Sequence, residues 1–208
     1  WARVGLVQQS WTDHAKWRVK DQLEWIRSVQ LTTARRVSSV DEVLDAVGLS
    51  EKAGSRLSRL SGGQRRTIDF AAALMAAPEI LILDEPTTGL DPVSKARLHD
   101  LILARVDDDA TIIMTTHDLA EAEHLASRVL IMNEERIIAD GTVTALRERL
   151  DRGAEITWVQ DGTHHVHTTH RPERFVKGLD LDTITGLTIT RPTLEETYLS
   201  LVSKEARA

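Results

Sequence analysis

Short aliphatic runs alternate along this chain with longer stretches whose apolar residues recur at helical spacing. Residues 3 to 9, Arg-Val-Gly-Leu-Val-Gln-Gln, read as a strand over Val4 to Val7 that ends in two amides. Ile80 to Leu83 is an unbroken apolar run of strand length, the pattern of a buried strand in a parallel sheet, and Thr111-Ile112-Ile113-Met114-Thr115 reads as the next buried strand. Between the first two strands the chain looks helical with breaks. Trp17, Leu23, Trp25, Ile26 and Val29 are spaced for a partly apolar helical face. Ser39 with Glu42 forms a capping box ahead of Val43, Leu44 and Val47, and Gly48 ends that helix. A helical run from Arg65 to Ala77 carries Ile68, Phe70, Leu74 and Met75 and stops before Pro78. A further helix runs from Pro92 to about Val106, followed by an acidic turn, Asp107-Asp108-Asp109. The chain then shows a helix around Glu121-Ala122-Glu123 and strands at Val129 to Met132 and Ile137 to Ala139 around Asn133-Glu134-Glu135. A turn at Asp140-Gly141-Thr142 leads to a helix ending at Leu150. From Asp151 the texture changes to alternating segments, Glu155 to Val159, His165 to Thr169 and Leu187 to Arg191. Pro172 to Gly178 reads as a short helix, and Pro192 to Leu199 starts a final one. The elements predict an α/β core with a small α+β appendage.

Composition narrows this picture only modestly. The chain has 208 residues, 41% apolar and 28% charged, which is ordinary globular material. Its formal charge of −6 argues against a general nucleic-acid surface, whose usual footprint is a basic stripe. There is no cysteine and so no disulfide framework. The longest apolar run, Phe70 to Ala77, falls far short of the roughly 20 residues of a spanning helix.

Two stretches carry candidate chemistry. Leu60-Ser61-Gly62-Gly63-Gln64 places an N-cap residue and two glycines before a helix. Helix N-termini expose unpaired N–H groups and the positive end of the dipole, and glycine lets a bulky anion approach the backbone. Leu81-Ile82-Leu83-Asp84-Glu85-Pro86 ends a buried strand in two carboxylates. At the C-terminal edge of a parallel sheet, one acid can hold Mg²⁺ and a second can orient a water. Taken singly, the first stretch suits an ordinary turn and the second a solvated strand end. Their joint occurrence with Thr87-Thr88-Gly89-Leu90-Asp91-Pro92 and Thr115-Thr116-His117-Asp118 is far more specific.

On these residues the chain resembles the ATP-binding subunits of ABC transporters, from about Val4 to Leu150. LSGGQ matches the family's signature, ILILDE its Walker B strand with the catalytic glutamate, Gly89-Leu90-Asp91 the D-loop and His117 the switch histidine. Val4 to Val7 matches the strand before the Q-loop, which makes Gln9 the Q-loop glutamine. The tail, with Pro192-Thr193-Leu194-Glu195-Glu196, resembles the C-terminal domain of the drug-export type. The resemblance implies a P-loop NTPase fold of ABC type. Residues 1–150 would be the ATPase domain, with a helical subdomain over about 10–76 and core strands over about 78–150. Residues 151–208 would be the small C-terminal α+β domain. No G-x-x-x-x-G-K-[ST] loop occurs among the 208 residues. That loop lies upstream in the family, so the chain is expected to be the C-terminal portion of a longer protein that lacks the N-terminal part with Walker A.

The resemblance further implies a catalytic set of Glu85, His117 and Gln9, with Asp84 and Gln9 toward Mg²⁺. Ser61, Gly62, Gly63, Gln64 and Asp91 would serve ATP across a head-to-tail dimer with a second copy of the domain. The implied setting is the cytoplasmic face of a membrane, beside a separate transmembrane permease whose export the ATPase powers. Trp11, Trp17 and Trp25 fit either anchors for that permease or core residues. Two other readings stay open: a non-transport ABC ATPase acting on nucleic acid or ribosomes, and a non-catalytic interaction fragment. Arg65 and Arg66 fit either phosphate contacts or solvated arginines. His164, His165, His167 and His170 fit a solvated, pH-sensitive strand better than a metal site, although residues 165 and 167 would share a strand face.

Overall fold

The computed structural model describes residues 3–10, 13–34, 36–107, 110–148 and 153–205. Trp11, Asp108, Asp109 and Leu150 lie outside the described residues. The chain forms two compact units, Trp1–His117 and Asp118–Ala208.

In the first unit, β1 (Val4–Val7), β2 (Ile80–Asp84) and β3 (Thr111–Thr115) form a parallel sheet in the order β1-β2-β3. Val7, Leu81 and Leu83 are buried. The opposite face differs from the expectation of fully buried strands. Leu6, Ile82 and Ile113 lie in register there, and Leu6 is 49% and Ile113 55% exposed. The alternation of side chains across a strand means one covered face buries only every second residue.

Four helices complete this unit: α1 (Val19–Gln30), α2 (Val40–Ala46), α3 (Gly62–Leu74) and α4 (Pro92–Asp107). α1 buries Val19, Gln22 and Leu23. Trp25 of α1 is half exposed, and it meets edge-on a stacked pair of His14 and Trp17, whose ring centroids are 4.1 Å apart. α2 begins with the expected capping box, in which the Ser39 hydroxyl accepts from the Glu42 N–H and the Glu42 carboxylate accepts from the Ser39 N–H. α3 starts three residues earlier than its apolar periodicity alone suggests, because Ser61 caps it at Gly62, and it ends at Leu74. Its Ile68, Phe70, Ala71 and Ala73 are buried, as is Met75 at its C-cap.

The second unit holds α5 (Leu119–Leu125), the hairpin β4 (Val129–Asn133) and β5 (Arg136–Gly141), and α6 (Val143–Glu148). It continues with β6 (Ala154–Gln160), β7 (Thr163–Thr169), α7 (Pro172–Val176), β8 (Ile184–Thr190) and α8 (Leu194–Glu205). Ala122, Val129, Ile131, Ala139, Leu146 and Leu194 form one core. Strands β7-β6-β8 make a separate antiparallel sheet. β7 begins two residues before the expected start, because Asp161 and Gly162 both take positive φ and close a tight hairpin. Asp-Gly is a strong signal for such a turn. Gly141, expected in a turn, lies at the end of β5.

His165 and His167 do share one strand face, but neither lies on a plainly solvated strand. His165 stacks on Trp158 at 5.1 Å and His167 on Phe175 at 3.8 Å. Among the described residues no group of three or more His, Asp or Glu is arranged to hold a metal. The aromatic neighbours come from β6 and α7, which the strand's own sequence does not specify. Among those residues, too, no helix is long and apolar enough to cross a membrane.

Candidate functional site

The three parallel strands end side by side. Val7 pairs with Leu83, Leu83 with Met114, and Asp84 with Thr115. Whatever follows each strand therefore emerges at one edge: Gln9 after β1, Glu85 after β2 and His117 after β3. Glu85 stands at φ 43, a left-handed conformation uncommon for a residue with a side chain. Its N–H is shared between the carbonyl and the hydroxyl of Thr115, each at 3.1 Å. The same Thr115 hydroxyl donates to Asp84 Oδ1 at 2.6 Å.

The Glu85 carboxylate, 25% exposed, is held at one oxygen only. Thr88 Oγ1 donates to Oε2 at 2.8 Å, Gln9 Nε2 donates to it at 3.3 Å, and His117 Nδ1 lies 3.1 Å from it. These partners hold the carboxyl below the ordinary glutamate range, the Thr88 hydroxyl contributing most and His117 next. Oε1 has no hydrogen-bond partner among the described residues, nor does Asp84 Oδ2. The edge thus presents two carboxylate oxygens free to accept, on acids whose other oxygens are fixed.

A second group forms at the start of α3. The Ser61 hydroxyl accepts from the Gln64 N–H, and the Gln64 side-chain oxygen accepts from the Ser61 N–H, both at 3.2 Å. This reciprocal pair satisfies two groups that a helix start leaves open. Gly63 is required by packing: a Cβ there would lie 2.1 Å from Ser94 Oγ and 2.4 Å from Ser94 Cβ. Ser94 in turn donates from its hydroxyl to Asp91 Oδ2 at 2.6 Å. Asp91 Oδ1 accepts from the N–H groups of Val93 and Ser94, so Asp91 caps α4. Those bonds, the Ser94 hydroxyl first, depress the Asp91 carboxyl. Gly63 and Asp91 are therefore parts of one packed corner, joined through Ser94.

Neither arginine after the signature is solvated. Arg65 is paired with Asp13. Arg66, 3% exposed, donates to the carbonyls of Gln8 at 2.5 Å and Gln9 at 2.8 Å. Burial pushes the Arg66 guanidinium down, while Asp69 and Asp84 pull it back up. One turn into α3, it ties the helix to the segment that carries Gln9. Of the expected residues, Gln9, Asp84, Glu85 and His117 come together at the sheet edge. Ser61, Gly63, Gln64 and Asp91 assemble at the two helix starts, with Gly62 as the first residue of α3.

Sequence reasoning left Thr88, Thr115 and Arg66 without these roles. Thr88 follows Glu85 by three residues, a spacing at which turn hydroxyls commonly reach back. Thr115 and Arg66 have no such local signal, since their partners are 31 and 58 residues away.

The acid pair, with an amide and an imidazole beside it, lies at the C-terminal edge of a parallel sheet, where open α/β domains bind their ligands. The chain matches, over residues 2–88, the family model described as ABC transporter. It is 41% identical over 117 residues to the daunorubicin/doxorubicin resistance ATP-binding protein DrrA of Streptomyces peucetius, covering 56% of this chain and 36% of that one. It is 36% identical over 149 residues to the linearmycin resistance ATP-binding protein LnrL of Bacillus subtilis (strain 168), covering 71% of this chain and 48% of that one. The chain thus spans between 36% and 48% of the length of these curated relatives. A solved structure titled as the ATP binding subunit of an ABC transporter shares the fold at a TM-score of 0.63, with 18% identity, over 97% of this chain and 69% of that one.

Proposed function

We propose that this chain is the signature-and-acid portion of an ATPase subunit that powers export through a separate membrane permease. The observation that carries the reading is the Glu85 carboxylate, pinned at Oε2 by Thr88, Gln9 and His117 with Oε1 left to accept. Such a carboxylate can orient a water toward a γ-phosphate held at the same edge, and positioning of this kind is most of what phosphoryl transfer asks of a protein. Gln9 donates through its amide nitrogen, which leaves its side-chain oxygen, with Asp84 Oδ2, as a hard donor set that suits Mg²⁺. The ion would supply positive charge to the phosphate oxygens. His117, beside Glu85, would meet the γ-phosphate.

ATP needs donors on its far side, and the capped, glycine-rich start of α3 in a second copy supplies them in a head-to-tail dimer. No phosphate loop occurs among these residues, so the complete site needs one from elsewhere in the protein. The row Leu6, Ile82 and Ile113, exposed at Leu6 and Ile113, is the sheet face such a segment would cover. Export as the task, and drugs or similar compounds as cargo, rest on the names of the relatives. The peripheral cytoplasmic location follows from that reading, as does the division into an ATPase domain over 1–150 and a C-terminal domain over 151–208.

The test is ATP binding and turnover by a form that includes a phosphate loop, with and without Glu85→Gln. The expected loss of turnover is roughly 10²-fold or more with ATP binding retained. Undiminished turnover in the variant would remove Glu85 from the role. Co-purification with a hydrophobic permease tests the export reading.

A further inference from the structure

We infer that Thr115 is a positioning residue that orients both acids through a single hydroxyl; the inference rests on the ATPase reading above. A threonine hydroxyl has one hydrogen to give and lone pairs to accept with. Here both capacities are committed. The hydrogen goes to Asp84 Oδ1 at 2.6 Å, and a lone pair takes the Glu85 N–H at 3.1 Å. The two bonds dictate each other: with the hydrogen on Asp84, the oxygen can only accept from Glu85. One side chain on β3 thereby sets the rotation of one acid and the backbone of the next.

The backbone it holds is a strained one. Glu85 at φ 43 occupies a conformation that a side-chain-bearing residue keeps only when its surroundings over-determine it. Thr115 provides both acceptors for the amide at that residue, its own carbonyl and its hydroxyl, each at 3.1 Å. From this conformation the Glu85 side chain reaches Thr88, Gln9 and His117 with Oε2 and leaves Oε1 free. Without the hydroxyl, the Glu85 amide keeps one acceptor and Asp84 loses its only hydrogen-bond donor among the described residues. Both acids could then rotate away from the shared edge. Thr115 lies directly across the strand pair from Asp84, so no other residue of β3 could take its place.

The experiment compares Thr115→Val and Thr115→Ser with the wild type, in the ATPase-competent form. Valine keeps the β-branched shape of threonine and removes the hydroxyl; serine keeps the hydroxyl and removes the methyl. The expected result is a fall in kcat of roughly 10- to 100-fold for Thr115→Val, with KM for ATP within about twofold, as for a misplaced catalytic group. Thr115→Ser is expected to retain turnover within about threefold of wild type. A merely structural role would lower the melting temperature of both variants without this split and without rescue by serine. Full kcat in Thr115→Val, or failure of serine to restore it in a stable protein, overturns the inference.

A second readout uses the 208-residue chain and no ATP. The Cα and Cβ chemical shifts of Glu85 report its left-handed backbone, and they should move in Thr115→Val and not in Thr115→Ser. Unmoved shifts in the valine variant overturn the inference. If the wild type shows no ATP turnover, the ATPase reading fails, and these shifts still decide the clamp.

Discussion

Replacing Gly63 by alanine tests whether the signature glycine serves packing as well as ligand approach. The added methyl would stand 2.1 Å from Ser94 Oγ and 2.4 Å from Ser94 Cβ, both well inside van der Waals contact. Turning the Ser94 hydroxyl aside does not help, because Cβ is fixed to the backbone of α4. The hydroxyl is moreover held by Asp91 at 2.6 Å. The start of α3 or of α4 must therefore shift, an overpacking cost of about 1–3 kcal/mol. Alanine recovers about 0.8–1.0 kcal/mol of helix propensity over glycine. The net expectation is a loss of about 0–2 kcal/mol, read from urea denaturation followed by tryptophan fluorescence. The decisive part is the pair with Ser94→Gly, which removes both clashing atoms and leaves Ser94 Cα at an ordinary 3.7 Å. The double variant should be more stable than the sum of the single changes by about 1–2 kcal/mol. Additive effects in the pair would refute the packing argument. If ATP turnover stays low in the stability-restored double variant, the glycine is needed for ligand approach as well.

Two further outcomes follow from the buried charges on α3. Asp69 is pushed up to about 6 from an ordinary 3.8, chiefly by burial, with Arg66 pulling the other way. Between pH 4 and 6 the folded protein keeps a proton that the unfolded chain has lost, so this group's contribution to stability falls as pH rises. The stability of wild type minus that of Asp69→Asn should therefore drop by about 1–3 kcal/mol from pH 4 to pH 7, and a flat difference would sink the argument. Arg66→Met should cost about 3 kcal/mol, because it removes the stronger of the two counter-charges on Asp69 and leaves the Gln8 and Gln9 carbonyls without their donor. Unchanged denaturation midpoints in that variant would show that the guanidinium is not holding the segment before the site.

The parts of this protein legible from sequence are those whose physics is local. The capping box at Ser39 and the N-cap at Ser61 need only a partner three residues on; both formed, the second as a full capping box with Gln64. The apolar runs marked β1, β2 and β3, and the acids after Leu83 marked the ligand edge of a parallel sheet. Local signals also existed where they were passed over: Asp161-Gly162 announces the β6–β7 hairpin two residues ahead of the expected strand. The histidines of β7 illustrate the opposite case. Their shared face follows from strand alternation, but their stacking on Trp158 and Phe175 needed the neighbouring strand and helix.

By itself, then, the sequence determined which residues are chemically competent and which strand or helix end each would occupy, because turns, caps and periodicity act over a few residues. Tertiary structure alone decided how they are held. The pairing of Asp84 with Thr115 depends on strand register, the reach of Arg66 to Gln8 and Gln9 on how α3 lies beside β1, and the need for glycine at 63 on where α4 starts. Register and helix packing are settled by the burial of whole faces, a sum over many distant residues. No short stretch of the chain carries that sum.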